Sequence, residues 1–447
     1  MRKLSFPHPM VLMVLCLIVA AAASYILPAG EYDRKDDPAT GRKVVVAGTY
    51  HRVPQTPVQP FDMFVAIPKG MSDAASVIFL VFLVGGAFTV VDQTGALRHG
   101  VDWLVTKLQD KETLVIPIIC IAFATGGVLE NMQEEIIAMI PVLVLLTRRL
   151  GFDLLVAVAI SVGAAMIGAS FSPINPFQVG IAQKLAALPL LSAWQFRVAF
   201  LAIALTIWIL ATMRYAKRNR IKQDKTEAVS HKPIDTRQFI ILILVIITFG
   251  IFVYGVLNLG WDFDQMSALF FIMGIVAGLI GRLGITGTSE AFVEGFRSMA
   301  FAGLLIGFAR AIYVVMNDGH IIDTIVYGLF TPISSLPVAL CAAGMMVVHT
   351  AIHFPVPSVS GHAVLTMPIL VPLSDLLGIP RQVTVLAYQY GAGLCEMITP
   401  TNGALMAILA ASGVRFEKWI KFVVPIYLIL FLLGLIAVFV GIAIKLA

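Results

Sequence analysis

Long apolar runs recur from one end of this 447-residue chain to the other. They fall at about 9–28, 72–95, 114–128, 135–150, 153–187, 194–216, 237–258, 264–283, 299–317, 336–352, 363–378, 380–412 and 419–445. A helix of roughly 20 apolar residues crosses ~30 Å of hydrocarbon. The chain is 59% hydrophobic and 13% charged, where soluble domains run near 45–50% and about 25%. A soluble fold would need an outsized apolar core. The fold class that follows is an all-α polytopic membrane protein.

The formal charge of +5 does not point to nucleic acid, because Lys and Arg lie between the apolar runs, where they orient helices. The four cysteines (Cys16, Cys120, Cys341, Cys395) sit inside apolar segments without paired metal spacing. Leu15 before Cys16 argues against a lipoprotein site, and the many later spans favour an uncleaved first helix over a signal peptide. Two connections are long and polar. Residues 29–70 are rich in Pro, Gly and charge, with VVVAGTYHRV (44–53) as a candidate hairpin, and 214–237 contains RYAKRNRIKQDK. Basic loops stay in the cytoplasm. Placing 214–237, Arg2/Lys3, Arg148/Arg149 and Arg415/Lys418/Lys421 all inside works if 114–150 is a re-entrant hairpin turning at GGVLENMQEE (126–135). By the same reasoning 337–378 is a hairpin from the opposite side, turning at HFPVPSVSG (353–361). About nine full crossings and two hairpins result, with the N-terminus inside and the C-terminus outside. A plain helical topology is the alternative.

MIPVLVLLTRRLGFDLLVAVAISVGAAMIGASFSPIN (139–175) aligns without a gap onto TMPILVPLSDLLGIPRQVTVLAYQYGAGLCEMITPTN (366–402). Pro141 meets Pro368, Gly151 meets Gly378, Pro173 meets Pro400, and Asn175 meets Asn402. Upstream, FTVVDQTGAL (88–97) echoes IYVVMNDGHI (312–321). An odd number of crossings separates the copies, so the second is inverted. The predicted organisation is a first helix and external loop (1–70) and repeat 1 (71–216, hairpin 114–150, broken helix 153–187). A basic loop with two linking helices (217–290) and repeat 2 (291–447, hairpin 337–378, broken helix 380–412) follow. Inverted repeats broken at matching positions point to a transporter's binding site near the midplane.

The breaks are SFSPINPF (170–177) and MITPTNGA (397–404). Backbone in hydrocarbon must satisfy its own hydrogen bonds. Pro173 and Pro400 lack an N–H and clash with the preceding turn. Asn175 before Pro176, and Asn402 before Gly403, cap the restarting half-helices. Each restart aims N–H groups and a positive dipole end at the break, which suits a carboxylate. The freed carbonyls and the hydroxyls of Ser172, Thr399 and Thr401 suit a small cation such as sodium. A simple proline kink is the bland reading, weakened by the matching positions.

The hairpin turns would face these breaks. The first carries Glu130, Asn131, Gln133, Glu134 and Glu135. If helical there, Glu130 and Glu134 share a face and repel, and ionisable groups at depth need protonation, a cation or a basic partner; in a turn nearer water they are merely solvated. The second carries Ser358, Ser360 and His362. Glu396, just before the second break, is the best single candidate for a proton- or cation-sensing group. Arg310, within an apparent span, is a counter-charge to a glutamate or to a substrate carboxylate, or a snorkelling interfacial arginine. His349 and His353 have metal-pair spacing, but Thr350 stands where the peptidase pattern needs Glu. Helix packing or a proton relay is the other reading. No Walker-type phosphate loop is present, so ATP drives nothing within this chain.

The N-terminal HPMVLMVLCLIVAAAASYILPAGEYDR, the GGVLENMQEE turn, SFSPINPFQVGIAQ and ITPTNGALMAILAASG resemble the YfcC-type carriers. These belong to the DcuC-like, C4-dicarboxylate anaerobic carrier family of the ion-transporter superfamily. The resemblance covers essentially the full length. It implies two opposed hairpins, two broken helices, a transport domain moving against a scaffold, and a homodimer. Its polar site positions would fall on Asn131, Ser172, Asn175, Ser358, Ser360, Thr399, Thr401 and Asn402. The first turn departs from the family pattern: it lacks the Ser-Asn-Thr of the best-known dicarboxylate carriers and is glutamate-rich. Added negative charge opposes a dianion, and relatives of this type include basic amino-acid exchangers.

The expectation is a secondary active transporter, not an enzyme, working as ion-coupled symporter or exchanger. Its substrate is a small carboxylate-bearing metabolite, narrowly an amino acid and a basic one by preference, with a C4-dicarboxylate as alternative. Asn175 and Asn402 hold the carboxylate. Glu130, Glu134, Glu135, Glu396 and Arg310 supply charge for Na+, H+ or a substrate ammonium group. No cofactor, resident metal or nucleic-acid partner is expected. The rivals are a passive channel and a membrane-embedded metalloenzyme.

Overall fold

The computed structural model describes residues 9–38, 42–97, 99–100, 112–221, 235–259, 261 and 263–446. Helix dominates. Among the described residues six helices are long and apolar enough to cross a membrane. They are α3 (Ala75–Gln93), α8 (Trp194–Arg218), α10 (Phe263–Ile280), α11 (Gly284–Asp318), α14 (Val359–Leu377) and α17 (Phe416–Ala443). The others are α1 (Pro9–Ile26), α2 (Pro60–Asp73), α4 (Val115–Glu130), α5 (Glu134–Arg149), α9 (Thr236–Leu259), α12 (Ile322–Phe330), α13 (Val338–His353), α15 (Arg381–Cys395) and α16 (Gly403–Ser412). Two helices carry a π turn: α6 (Leu154–Ser170) and α7 (residues 176–185). Large apolar side chains such as Ile26, Leu210, Ile246 and Leu428 stand exposed on the outside. In water such a surface would aggregate; in lipid it is the solvated face.

The order hairpin, broken helix, long helix occurs twice. First come α4 and α5, then α6 with α7, then α8. Later come α13 and α14, then α15 with α16, then α17. The local chemistry is legible. Helix α5 opens on Glu134 and Glu135 and closes on Arg148 and Arg149, matching its dipole at both ends. Helices α14 and α16 end at Gly378 and Gly413, both at positive φ. Within each copy the first hairpin helix packs closely on the first half of the broken helix. A Cβ on Gly127 would collide with the Ala165 carbonyl, and one on Gly391 with the Met346 carbonyl. Between copies the partners are exchanged: α5 packs on α16, and α14 packs on α7. Trp208 of α8 donates to the Ala159 carbonyl at 2.9 Å, and Trp419 of α17 to Met397 at 2.8 Å, so each long helix pins one broken helix.

A second body stands beside this one. Helices α3, α9, α10 and the first part of α11 share a core of their own, with Phe88, Phe270, Met273 and Phe292. The remainder of α11 packs on α2 and α16 and links the two bodies.

Several boundaries differ from the sequence reading. The connection expected through residue 70 already folds as α2 from Pro60, because Pro at its first turn is pre-set for a helix. The candidate hairpin within 44–53 pairs elsewhere: Arg34–Asp37 with Arg42–Val45, and Gly30–Glu31 with His51–Arg52. The span expected at 299–317 is the second half of a 35-residue helix, because its polar first turns continue out of the apolar stretch. The short helix α12 was not anticipated. Arg2, Lys3 and most of the basic segment (222–234) lie outside the described residues.

Candidate functional site

The two hairpin tips and the second break meet at one cavity of about 870 Å³. From the first tip it is lined by Asn131, Gln133, Glu134 and Glu135, and from the second by Ser358, Ser360 and Gly361. The second break contributes Glu396, Thr401, Asn402 and Gly403; α11 adds Arg310 and Tyr313, and α2 adds Asp73. The paired strands add Glu31, Arg34 and Lys43 to its lining.

The first tip is a three-residue turn. Asn131 takes a left-handed conformation (φ 58°), which stops α4. Glu130 and Glu134 therefore sit on different helices and do not share a face, contrary to the helical expectation; the Glu130 side chain lies outside the described residues. Gln133, 4% exposed, ties this tip to the second break. Its amide donates to Glu396 Oε2, and its carbonyl oxygen accepts from Asn402 Nδ2 at 3.0 Å. Glu135 accepts from the Gln133 backbone N–H at 3.1 Å. Asn402 also caps α16, accepting from Leu405 N at 3.0 Å. Thr401 donates to the Phe354 carbonyl at 2.7 Å, holding the break to the second tip. Ser358 caps α14, accepting from Gly361 N at 3.3 Å.

The first break is built alike but closed. Ser172 donates to the Val128 carbonyl, and Asn175 Nδ2 to that of Gly127, each at 2.8 Å. Asn175 Oδ1 accepts from Phe177 N and Gln178 N at 3.0 Å. Gln389 donates to the freed Ser172 carbonyl at 2.7 Å and accepts from the buried Arg197 at 3.0 Å. Neither Ser172 nor Asn175 lines the cavity. Thr399 is also turned away, donating to the Cys395 carbonyl at 2.7 Å. Of the expected carboxylate caps, the cavity therefore meets Asn402 and not Asn175.

Arg310 reaches the cavity, but its partner is Asp73, not a glutamate, and its guanidinium lies 4.7 Å from the centroid of the Tyr313 ring. Both members of the pair are nearly half exposed. His349 and His353 are buried on α13, and His349 Nδ1 lies 2.8 Å from His362 Nε2. A ring nitrogen of His349 is thus engaged by another imidazole. Among the described residues no group of three or more His, Cys, Asp or Glu is arranged to hold a metal.

A sequence profile described as "DcuC: C4-dicarboxylate anaerobic carrier" matches residues 6–443. The chain belongs to this family. It is accordingly a membrane transport protein. Among relatives of this carrier, "Putative basic amino acid antiporter YfcC" of Escherichia coli K12 is 32% identical, with 98% of this chain and 96% of that protein covered. An uncharacterized protein of Haemophilus influenzae is 30% identical, over 97% and 96%. Among solved structures, the YdaH transporter of Alcanivorax borkumensis is similar at a TM-score of 0.44 and 18% identity, covering 98% of this chain and 99% of that one. MtrF of Neisseria gonorrhoeae is similar at 0.43 and 18%, covering 97% and 95%.

The structure brings to the site of this carrier two residues the sequence does not place there, Asp73 and Tyr313, and gives Gln133, expected only as one of the first-turn residues, the linking role. Gln133 carries a usable signal. Extending the repeat alignment back a few residues sets it opposite Ser360, another tip position. Asp73 and Tyr313 had none, because their place depends on how α2 and α11 cross.

Proposed function

We propose that this protein is a secondary active transporter for a small amino acid with a cationic side chain, taken in exchange for or together with a cation. The observation that carries the reading is the charge of the cavity. Six carboxylate side chains line it (Glu31, Asp73, Glu134, Glu135, Asp323, Glu396) against three Lys or Arg. Two of those bases are already engaged, Arg34 with Asp323 and Arg310 with Asp73. Such a wall favours an ammonium or guanidinium group. The start of α16 at Asn402 and Gly403 supplies the opposite end, a helix N-terminus for the carboxylate. A cavity of about 870 Å³ is within the usual range for a small ligand. The name of the Escherichia coli relative, a basic amino acid antiporter, agrees.

A C4-dicarboxylate is the second reading, favoured by the family description and by Arg310, whose side chain is 42% exposed at the wall. In both readings α4–α5 and α13–α14 enter the bilayer as re-entrant hairpins of two inverted copies. A 16-residue helix such as α4 or α5 rises only ~24 Å, short of the hydrocarbon thickness. The body holding both breaks moves against the body of α3, α9 and α10. The protein works as a homodimer in a bacterial inner membrane with its N-terminus in the cytoplasm. A thermal-shift screen tests the substrate: lysine, arginine and ornithine should stabilise purified protein, and succinate, fumarate and malate should not. Stabilisation by the dicarboxylates alone refutes the amino-acid reading. Saturable counter-transport in proteoliposomes separates a carrier from a channel.

A further inference from the structure

Behind Glu396 lies a group of buried side chains whose polar atoms are largely unpaired. His349, His353 and His362 are all fully buried, yet four of their six ring nitrogens have no hydrogen-bond partner among the described residues. They are His349 Nε2, both nitrogens of His353, and His362 Nδ1. A buried imidazole that only packs would normally be bonded at its polar atoms or replaced by an apolar ring. Three such rings converge here from both helices of one hairpin. His349 Nδ1 is 2.8 Å from His362 Nε2; the His353 and His362 rings stack with centroids 5.9 Å apart. His353 Nε2 is 3.8 Å from Glu396 Oε1. Of these four groups Glu396 alone lines the cavity.

We propose that the coupling ion is a proton, carried by Glu396 and the three-histidine cluster behind it. This rests on the transporter reading of the same cavity. The arriving ammonium group and the proton compete for one carboxylate. When the ammonium binds, the Glu396 O–H bond breaks and the proton passes to the lone pair of His353 Nε2, forming N–H there. No tautomer of His353 is held by a hydrogen bond, so its ring is free to accept. The proton stays on His353, beside the His349–His362 pair, and crosses with the substrate, so lysine and proton move in the same direction. The carboxylate left behind keeps its Gln133 hydrogen bond and gains the substrate cation. Other groups facing this centre are Glu134 and Glu135 from the first tip, and Arg310 with Asp73 across the cavity. Cys395 and Tyr388 stand on α15, and Tyr427 on α17. Sodium fits less well: the hydrogen-bond and ion-pair partners of Glu396 are the Gln133 donor and the His353 nitrogen, which leaves the Glu134 carboxylate as the nearby oxygen source, whereas sodium wants several oxygens.

The test uses the full chain in sodium-free proteoliposomes with a pH dye inside and lysine, then succinate, as probes. Added lysine should acidify the lumen saturably, because the proton crosses with the substrate; alkalinisation overturns the proposal. The proton-to-lysine ratio should fall at least tenfold in His353→Gln; Glu396→Gln, which also removes the partner of the ammonium group, should weaken uptake and leave what remains flat in pH. Lysine flux that needs sodium and moves no protons overturns the proposal, as does an unchanged ratio in His353→Gln. Proton flux with succinate alone keeps the proposal while removing the amino-acid reading. If neither probe moves, imidazole NMR titration decides. Glu396→Gln should shift the midpoints of His353 and His362 by more than one pH unit; unshifted midpoints overturn the proposal. Should Glu396→Gln fail to fold, His353→Gln carries the same titration, read at His349 and His362.

Discussion

Gln133→Leu is the most informative single change. The substitution keeps the volume of a buried side chain and deletes both of its bonds across the cavity wall. In the native protein the Gln133 amide donates to Glu396, and its oxygen accepts from Asn402 Nδ2 at 3.0 Å. Both partners are nearly fully buried, at 3% and 5% exposure. Leaving a buried polar group without its partner costs ~1–3 kcal/mol, so two groups cost roughly 2–6 kcal/mol. Water entering from the cavity relieves part of this, which favours the low end. At ~2–4 °C per kcal/mol for mid-sized domains, the melting temperature should fall by at least about 4 °C. Tryptophan fluorescence of purified protein reads it. A double-mutant cycle with Asn402→Leu should return a coupling of about 0.5–3 kcal/mol. Melting within about 1 °C of native, or a coupling of zero, would show that the first tip and the second break are not held together as described.

Two further outcomes follow from the packing. Gly127→Ala and Gly168→Ala place a methyl against the backbone carbonyls of Ala165 and Ala124, and each should cost at least about 1–3 kcal/mol. Gly328→Ala meets nothing within 4 Å and should melt like native; equal melting of all three variants refutes the close approach of α4 and α6. Asn175→Ala and Asn402→Ala each remove a helix cap, worth ~1 kcal/mol. Only Asn402 lines the cavity, so its variant alone should raise KM for lysine, by about fivefold for each ~1 kcal/mol of lost binding. An equal KM rise in Asn175→Ala contradicts the assigned site.

Much of this protein could be read before folding it. The family profile and the YfcC relative agree with the resemblance found in the motifs. The helices at 115–130, 134–149, 338–353 and 359–377 lie where apolar runs and turn residues predict them. The caps at Asn175 and Asn402 do so too, because capping is local: the side chain reaches only two or three residues ahead. The 60–73 helix is polar enough to read as loop in the sequence. The start of α11 was missed because hydropathy registers lipid contact, whereas helix formation needs only propensity and a packing surface.

Local chemistry, then, is what the linear chain determined: spans, breaks, caps, and an acidic first turn. Hydropathy and hydrogen-bond capacity act over a few residues, so they survive in one dimension. The tertiary structure alone decided which polar residues share the cavity. Asn175 and Asn402 are equivalent in the repeat, yet one is sealed against Gly127 while the other meets Gln133 and the cavity. It also decided that Arg310 faces Asp73 and that three histidines stand behind Glu396. Those pairings depend on how distant helices cross, and a contact between residues far apart in the chain leaves no trace in the periodicity of either.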